Sequence, residues 1–206
     1  MQERREAYPR KDRPSGRRPG PRGPALSLDE RLSRLLAFVL RHHPEEAGLD
    51  MDERGSVDLD QMTEAVRARP GLQDVTREQI ERLVAGPQSS RFAVSGGRIR
   101  ARYGHSFAQP VVYEPAEPPP QLFHGTTPEA VEAMLAEGLK PGQRQHVHLS
   151  VDTPTAREVG RRRSSHPAIL AIDTACAAKA GVRFYEASPI VWLSDPIPPE
   201  CITRYE

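Results

Sequence analysis

Four residues of this chain are suited to holding an anion: Arg41, His42, Arg91 and Arg144. A guanidinium stays charged at any physiological pH, and its planar fork of donors matches two phosphate oxygens. A histidine, with an ordinary pKa of about 6.5, adds a group that takes up or gives a proton beside them. The four lie far apart in the chain, so spacing alone does not bring them together. A second stretch is Arg144-Gln145-His146-Val147-His148-Leu149-Ser150. Its period of two sets His146 and His148 on one face of a strand and Val147 and Leu149 on the other, with a guanidinium at its mouth. Two imidazoles on one face imply a polar cleft, because burying them without partners is costly. A surface strand with satisfied histidines is the plainer reading of the same pattern. The seven histidines are otherwise scattered, and His146 and His148 lack carboxylates or thiolates at ligand spacing, so no metal site is expected. There is no Walker loop, Rossmann glycine fingerprint or nucleophile elbow.

Several elements must position these side chains. Ser27-Leu28-Asp29-Glu30 is a capping box, and Leu32, Leu35, Leu36, Val39 and Leu40 follow at helical spacing until Pro44. Arg41, His42 and His43 therefore fall in the last turn, where the helix dipole alone would favour cations. Asp58 caps a helix carrying Leu59, Met62 and Val66, and Thr76-Arg77-Glu78-Gln79 opens another with Ile80, Leu83 and Val84. Arg91-Phe92-Ala93-Val94, then Ser95-Gly96-Gly97, then Arg98-Ile99-Arg100-Ala101 reads as a β-hairpin. Three helices and a hairpin form a winged-helix pattern, and Arg98, Arg100 and Arg102 make the hairpin basic. After the prolines between Pro110 and Pro120, Leu122-Phe123-His124-Gly125 reads as a strand. A helix runs from Thr127-Pro128 to Gly138, and another lies near Pro154–Arg162. Ala168–Ile172, Val182–Tyr185 and Ile190–Leu193 are further strands.

At 206 residues the chain suits one large domain or two small ones. Net charge is +1, yet the first 26 residues hold eight basic and three acidic side chains among prolines and glycines. That composition predicts a disordered arm over 1–26, followed by lobes at 27–109 and 121–206 joined by a semi-rigid linker over 110–120. No signal peptide or membrane span is present in the pattern. The two cysteines, Cys176 and Cys201, suggest reduced thiols in the cytoplasm rather than a disulfide framework.

Six stretches, taken together and in order, resemble the KptA type of RNA 2′-phosphotransferase. They are Leu40-Arg41-His42-His43-Pro44, Ser90-Arg91-Phe92, Ile99-Arg100-Ala101 with Gly104-His105-Ser106, Phe123-His124-Gly125-Thr126, Arg144 to Ser150, and Val191-Trp192-Leu193-Ser194. The resemblance implies an α+β fold, with an N-terminal winged-helix lobe and a C-terminal ADP-ribosyltransferase-like lobe, and NAD as co-substrate. It implies that an internal RNA 2′-phosphate, as in a tRNA splice junction, attacks C1″ of the nicotinamide ribose. Nicotinamide leaves an ADP-ribosylated RNA phosphate. O2″ then attacks phosphorus, giving 2′-hydroxyl RNA and ADP-ribose 1″,2″-cyclic phosphate. Arg41, His42, Arg91 and Arg144 match the family's catalytic set. His124, Gly125 and Thr126 match its NAD-ribose segment, and His148 and Ser150 are expected beside nicotinamide. Gly125 is expected to let backbone approach that ring. Val191 stands where many protein-modifying relatives carry a glutamate, and Tyr103 stands where the family often has glutamine. Gln143 replaces a more usual apolar residue. No metal, no membrane and a monomer are expected. The alternatives are an enzyme that ADP-ribosylates terminal phosphates of RNA or DNA, and a non-catalytic winged-helix nucleic-acid binder.

Overall fold

The computed structural model describes residues 26–86 and 90–205. The basic arm, up to Ala25, lies outside the described residues. Within them six α-helices and two antiparallel sheets account for the regular structure.

The first half is built on helix α1 (Leu28–Arg41), whose capping box is formed as the sequence predicts, Glu30 N–H to Ser27 Oγ and Ser27 N–H to Glu30 Oε2. A 3-10 turn over Pro44–Ala47 follows at the proline. Strand β1 (Ser56–Asp58) leads straight into α2 (Leu59–Arg67), with Asp58 Oδ1 accepting from the Asp60 and Gln61 amides. Helix α3 (Arg77–Ala85) carries the second capping box, between Thr76 and Gln79. Strands β2 (Phe92–Ser95) and β3 (Arg98–Ala101) form the expected hairpin; Gly96 and Gly97 both take positive φ, as a tight two-residue turn requires. The sequence reading missed β1, a three-residue strand that pairs with β3 to give the order β1-β3-β2. Its length leaves no periodicity to detect. The apolar faces of these elements, among them Leu32, Leu36, Leu40, Val57, Met62, Ile80, Phe92 and Ile99, close one core.

The second half is a six-stranded sheet. Its strands are β4 (Gln121–Thr126), β5 (Val147–Ser150), β6 (Ala168–Asp173), β7 (Phe184–Ser188), β8 (Val191–Ser194) and β9 (Ile202–Arg204), in the order β7-β8-β5-β4-β6-β9. Helices α4 (Val131–Glu137), α5 (Thr153–Arg161) and α6 (Thr174–Lys179) lie between them in sequence. Val147 and Leu149 point into a core with Leu122, Leu170, Ile172, Phe184 and Trp192, which fixes the other face of β5 for His148. Two of these elements, α6 and β9, were not expected. Asp173 ends β6 and also caps α6, accepting from the Cys176 amide (2.9 Å).

One expectation is overturned. Cys176 on α6 and Cys201 in a 3-10 turn (Pro199–Cys201) are joined as a disulfide, with their Cα atoms 5.5 Å apart. Their separation of 25 residues carries no metal or framework spacing, so only the packing of α6 beside the Pro199–Cys201 turn reveals the pairing.

The sheet is parted in its middle. Six residue pairs join β4 to β6 and four join β5 to β8, whereas β4 and β5 share only Phe123 with Ser150. Beyond that pair no backbone register joins the two strands, and His124, Gly125 and His148 follow it along them. The proline-rich stretch is pinned to both halves. Val112 N–H donates to Glu53 O (2.8 Å), Ala116 N–H to Phe184 O (2.9 Å), and the Gln145 side chain holds Val111 N–H, Phe107 O and Gln109 O.

Candidate active site

Three segments deliver three guanidinium groups to one place. Arg41 is the last residue of α1, and its stem runs past Gly104, whose positive φ and missing Cβ keep the loop off the arginine: a Cβ there would sit 3.3 Å from Arg41 Cδ. Arg91 leaves the base of the hairpin, where Arg102 N–H donates to its carbonyl (2.9 Å), and its Nη1 donates to the buried Ser33 hydroxyl of α1 (2.9 Å). Arg144 precedes β5 in a turn closed by its own amide on Pro141 O (3.2 Å). The loop Gly104-His105-Ser106 splints the first segment to the third. Ser106 N–H donates to Arg41 O (2.9 Å) and Gln145 N–H to His105 O (3.2 Å). Two backbone bonds thus set Arg41–His42 beside Arg144–Gln145 across more than half of the folded chain.

Tyr103, also from the base of the hairpin, is the common neighbour. Arg41 Cζ lies 4.8 Å from its ring centroid and 5.8 Å from that of Phe92, so the guanidinium is flanked by two rings. Arg91 lies 5.5 Å from Phe92, and the edge of Tyr103 meets His148 at 5.9 Å. The sequence placed Tyr103 only as a departure from the family; its position shows a central role in the packing of the site.

The electrostatics follow from this crowding. Burial, reinforced by the charges of Arg91 and Arg144 and opposed by Tyr103, brings Arg41 down to about 10, so it stays cationic at neutral pH. Burial also lowers Arg91 and Arg144. Above all, Arg41 Nε and Nη2 are buried and meet no protein acceptor. Buried charged donors without a partner are costly, and an anion is the chemistry that satisfies them. His42 follows at the C-cap of α1, with Nδ1 2.7 Å from Ser106 Oγ; partial burial and the neighbouring Arg41, His43 and Arg144 hold it below the usual imidazole range. A neutral imidazole beside the guanidinium groups of Arg41 and Arg144 is equipped to accept a proton.

The parted strands supply a second set. His124 Nδ1 lies 3.0 Å from His148 O, and His148 Nδ1 lies 2.9 Å from His146 O. A carbonyl only accepts, so both rings carry their proton on Nδ1 and present a bare Nε2. Burial, then the field of Arg144, drives His148 to about 3, and its Nε2 is buried without a partner. Thr126 and Ser150 are buried at the ends of these strands, and Ser150 pairs directly with Val191. His146, by contrast, turns toward Tyr113 and Tyr185, with ring centroids at 5.5 and 5.1 Å, and does not join the arginines. Gly125 is also required by the packing of the fold. A Cβ there would collide with the Ala156 carbonyl, so its bareness lets α5 lie directly on β4. Among the described residues no group of three or more His, Cys, Asp or Glu is arranged to hold a metal ion, and no helix is long and apolar enough to cross a membrane.

The model of the RNA 2′-phosphotransferase, Tpt1 / KptA family matches residues 27–196. The chain belongs to that family. Its relatives include a protein of Thermococcus kodakarensis, 40% identical over 174 residues that cover 84% of this chain and 96% of the relative. A protein of Acetivibrio thermocellus is 38% identical over 176 residues (85% and 96%), and one of Agrobacterium fabrum is 42% identical over 168 (81% and 89%). All three bear the name "Probable RNA 2'-phosphotransferase". The matched segment contains Arg41, His42, Arg91, Arg144 and both strands of the parting.

Proposed function

We propose that this chain is an NAD-dependent RNA 2′-phosphotransferase, with Arg41, His42, Arg91 and Arg144 as its catalytic residues. In this reading the first half acts as a winged-helix lobe and the second as an ADP-ribosyltransferase-like lobe. The observation that carries the proposal is the pair of buried, unpartnered guanidinium nitrogens of Arg41, set among Arg91, Arg144 and a neutral His42. A 2′-phosphate brings nearly two negative charges and supplies the acceptors those donors lack.

The parting between β4 and β5 fits NAD. Bare Nε2 atoms on His124 and His148 are acceptors for ribose hydroxyls or the carboxamide N–H, and both rings are held neutral by burial. NAD, when bound there, supplies the C1″ carbon that takes the RNA phosphate as nicotinamide leaves, and the O2″ that afterwards attacks phosphorus. The residues of this chain do the rest. Arg41, Arg91 and Arg144 orient the phosphate and stabilise the charge that gathers on its oxygens in the transition state, from positions fixed in advance. His42 takes the O2″ proton on its free ring nitrogen and gives it to the RNA 2′-oxygen as the bond from phosphorus to that oxygen breaks. Its low basicity in the free enzyme keeps it in the accepting form at neutral pH. The buried Val191 opposite Ser150 offers no carboxylate to activate a protein acceptor, which favours a nucleophile that is already anionic.

The test is to incubate the protein with NAD and an oligonucleotide carrying one internal 2′-phosphate, and to identify both products. Release of nicotinamide with 2′-hydroxyl RNA and ADP-ribose 1″,2″-cyclic phosphate is expected. A stable ADP-ribosylated RNA end would replace this reading by terminal-phosphate modification, and no nicotinamide release would replace it by a nucleic-acid binder.

A further inference from the structure

The arginines at the end of α5 lie outside the set of Arg41, Arg91 and Arg144. Arg161, Arg162 and Arg163 are consecutive and exposed. A helix C-terminus favours one cation, but three in a row repel one another, and their placement is fixed by close packing. Gly160 lies against β4: a Cβ on it would meet Gly125 C at 3.3 Å and Thr126 N at 3.4 Å. Arg163 N–H then donates to Gly160 O (3.0 Å) and Arg162 N–H to Val159 O (3.2 Å), so the run turns off the helix at the Gly125–Thr126 end of the parting. From there the charge of Arg162 reaches both Arg91 and Arg144, and that of Arg163 reaches Arg144 and His124. Arg91 comes from the first half of the chain and Arg144 from the second. The α5 arginines thus enlarge a positive rim that spans both halves.

An internal 2′-phosphate never arrives alone: phosphodiesters flank it on the same ribose. We propose that Arg162 and Arg163 form a backbone subsite that takes a phosphodiester of single-stranded RNA next to the nucleotide held by Arg41, Arg91 and Arg144. The subsite rests on reading that cup as an RNA phosphate site. It gives affinity for a chain over a lone nucleotide and carries no base preference, because guanidinium contacts to the backbone read charge and not sequence. Exposure favours the RNA over the dinucleotide as the partner, since the α5 arginines stand outside the parting that holds the buried acceptors.

The experiment is equilibrium binding, without NAD, of a short 2′-phosphorylated oligonucleotide and of its 2′-hydroxyl twin, each at several salt concentrations, to the full chain and to Arg162→Gln/Arg163→Gln. Each lost contact to a single strand lowers the slope of log K against log salt by about 0.7, so the double variant should lose about 1.4 in slope and about tenfold or more in affinity. The same loss is expected for both oligonucleotides, because the subsite does not touch the 2′-phosphate. Unchanged slopes and affinities would overturn the proposal. So would intact RNA binding with a weakened affinity for NAD, which would assign these arginines to the diphosphate. Failure of the reading of the cup would show separately, as twins that bind the unaltered protein equally.

Discussion

At the scale of single residues, the chemistry depends on protonation states that the fold imposes. Partial burial and the neighbouring Arg41, His43 and Arg144 lower His42, while its Nδ1 is engaged with Ser106. Its imidazole should therefore titrate below 6.5 when followed by NMR, and Arg144→Gln, which removes one of those charges, should move the midpoint upward. A midpoint at or above 6.5, unmoved by the substitution, would remove the case for a neutral base. The types of these residues were legible from the sequence, because arginine and histidine chemistry does not depend on the fold. Their partners were not. Ser33, which anchors Arg91, sits inside an ordinary amphipathic helix, and Tyr103 has no local pattern that marks it as the neighbour of three guanidinium groups.

At the scale of elements, what the sequence carries best is what neighbours in the chain decide. The capping boxes at Ser27 and Thr76, the Asp58 cap and the glycine turn of the hairpin all involve partners within four residues. The missed strands are fixed by tertiary pairing, β1 against β3 and β9 against β6, whereas α6 was missed although its Asp173 cap is local. Gly125 illustrates the difference. Its presence in a motif suggested ligand approach, whereas the structure sets it against the backbone of α5. Gly125→Ala should then cost about 1–3 kcal/mol of stability, measured by denaturant unfolding, as overpacking at a backbone contact does. Full stability with lost NAD binding would instead show that the glycine serves the ligand.

At the scale of the whole molecule, the convergence of Arg41, Arg91 and Arg144 was invisible in the sequence because it is made by long-range backbone bonds, through Ser106 to Arg41 and His105 to Gln145. His105 itself is buried at this junction. Its Nδ1 lies 2.9 Å from Tyr113 Oη, and burial pushes its pKa to about 3, as it does for His148. A folded pKa below the ordinary 6.5 means that the unfolded chain binds more protons as pH falls. Stability should be independent of these groups above pH 6.5 and should drop by about 1.4 kcal/mol per pH unit for each of them as pH falls from there toward 3. Urea unfolding between pH 6.5 and 5 checks this, and His105→Gln should flatten the dependence. A profile as steep in that variant as in the unaltered protein would contradict the assignment.

The most direct test of the cup is the affinity increment of a single group. Two oligonucleotides that differ only in one internal 2′-phosphate should bind with clearly different affinity, the phosphorylated one at least tenfold tighter, and Arg144→Gln should abolish most of that difference. Equal binding of the two to the unaltered protein, or an increment that survives the substitution, would show that these guanidinium groups do not grip the 2′-phosphate.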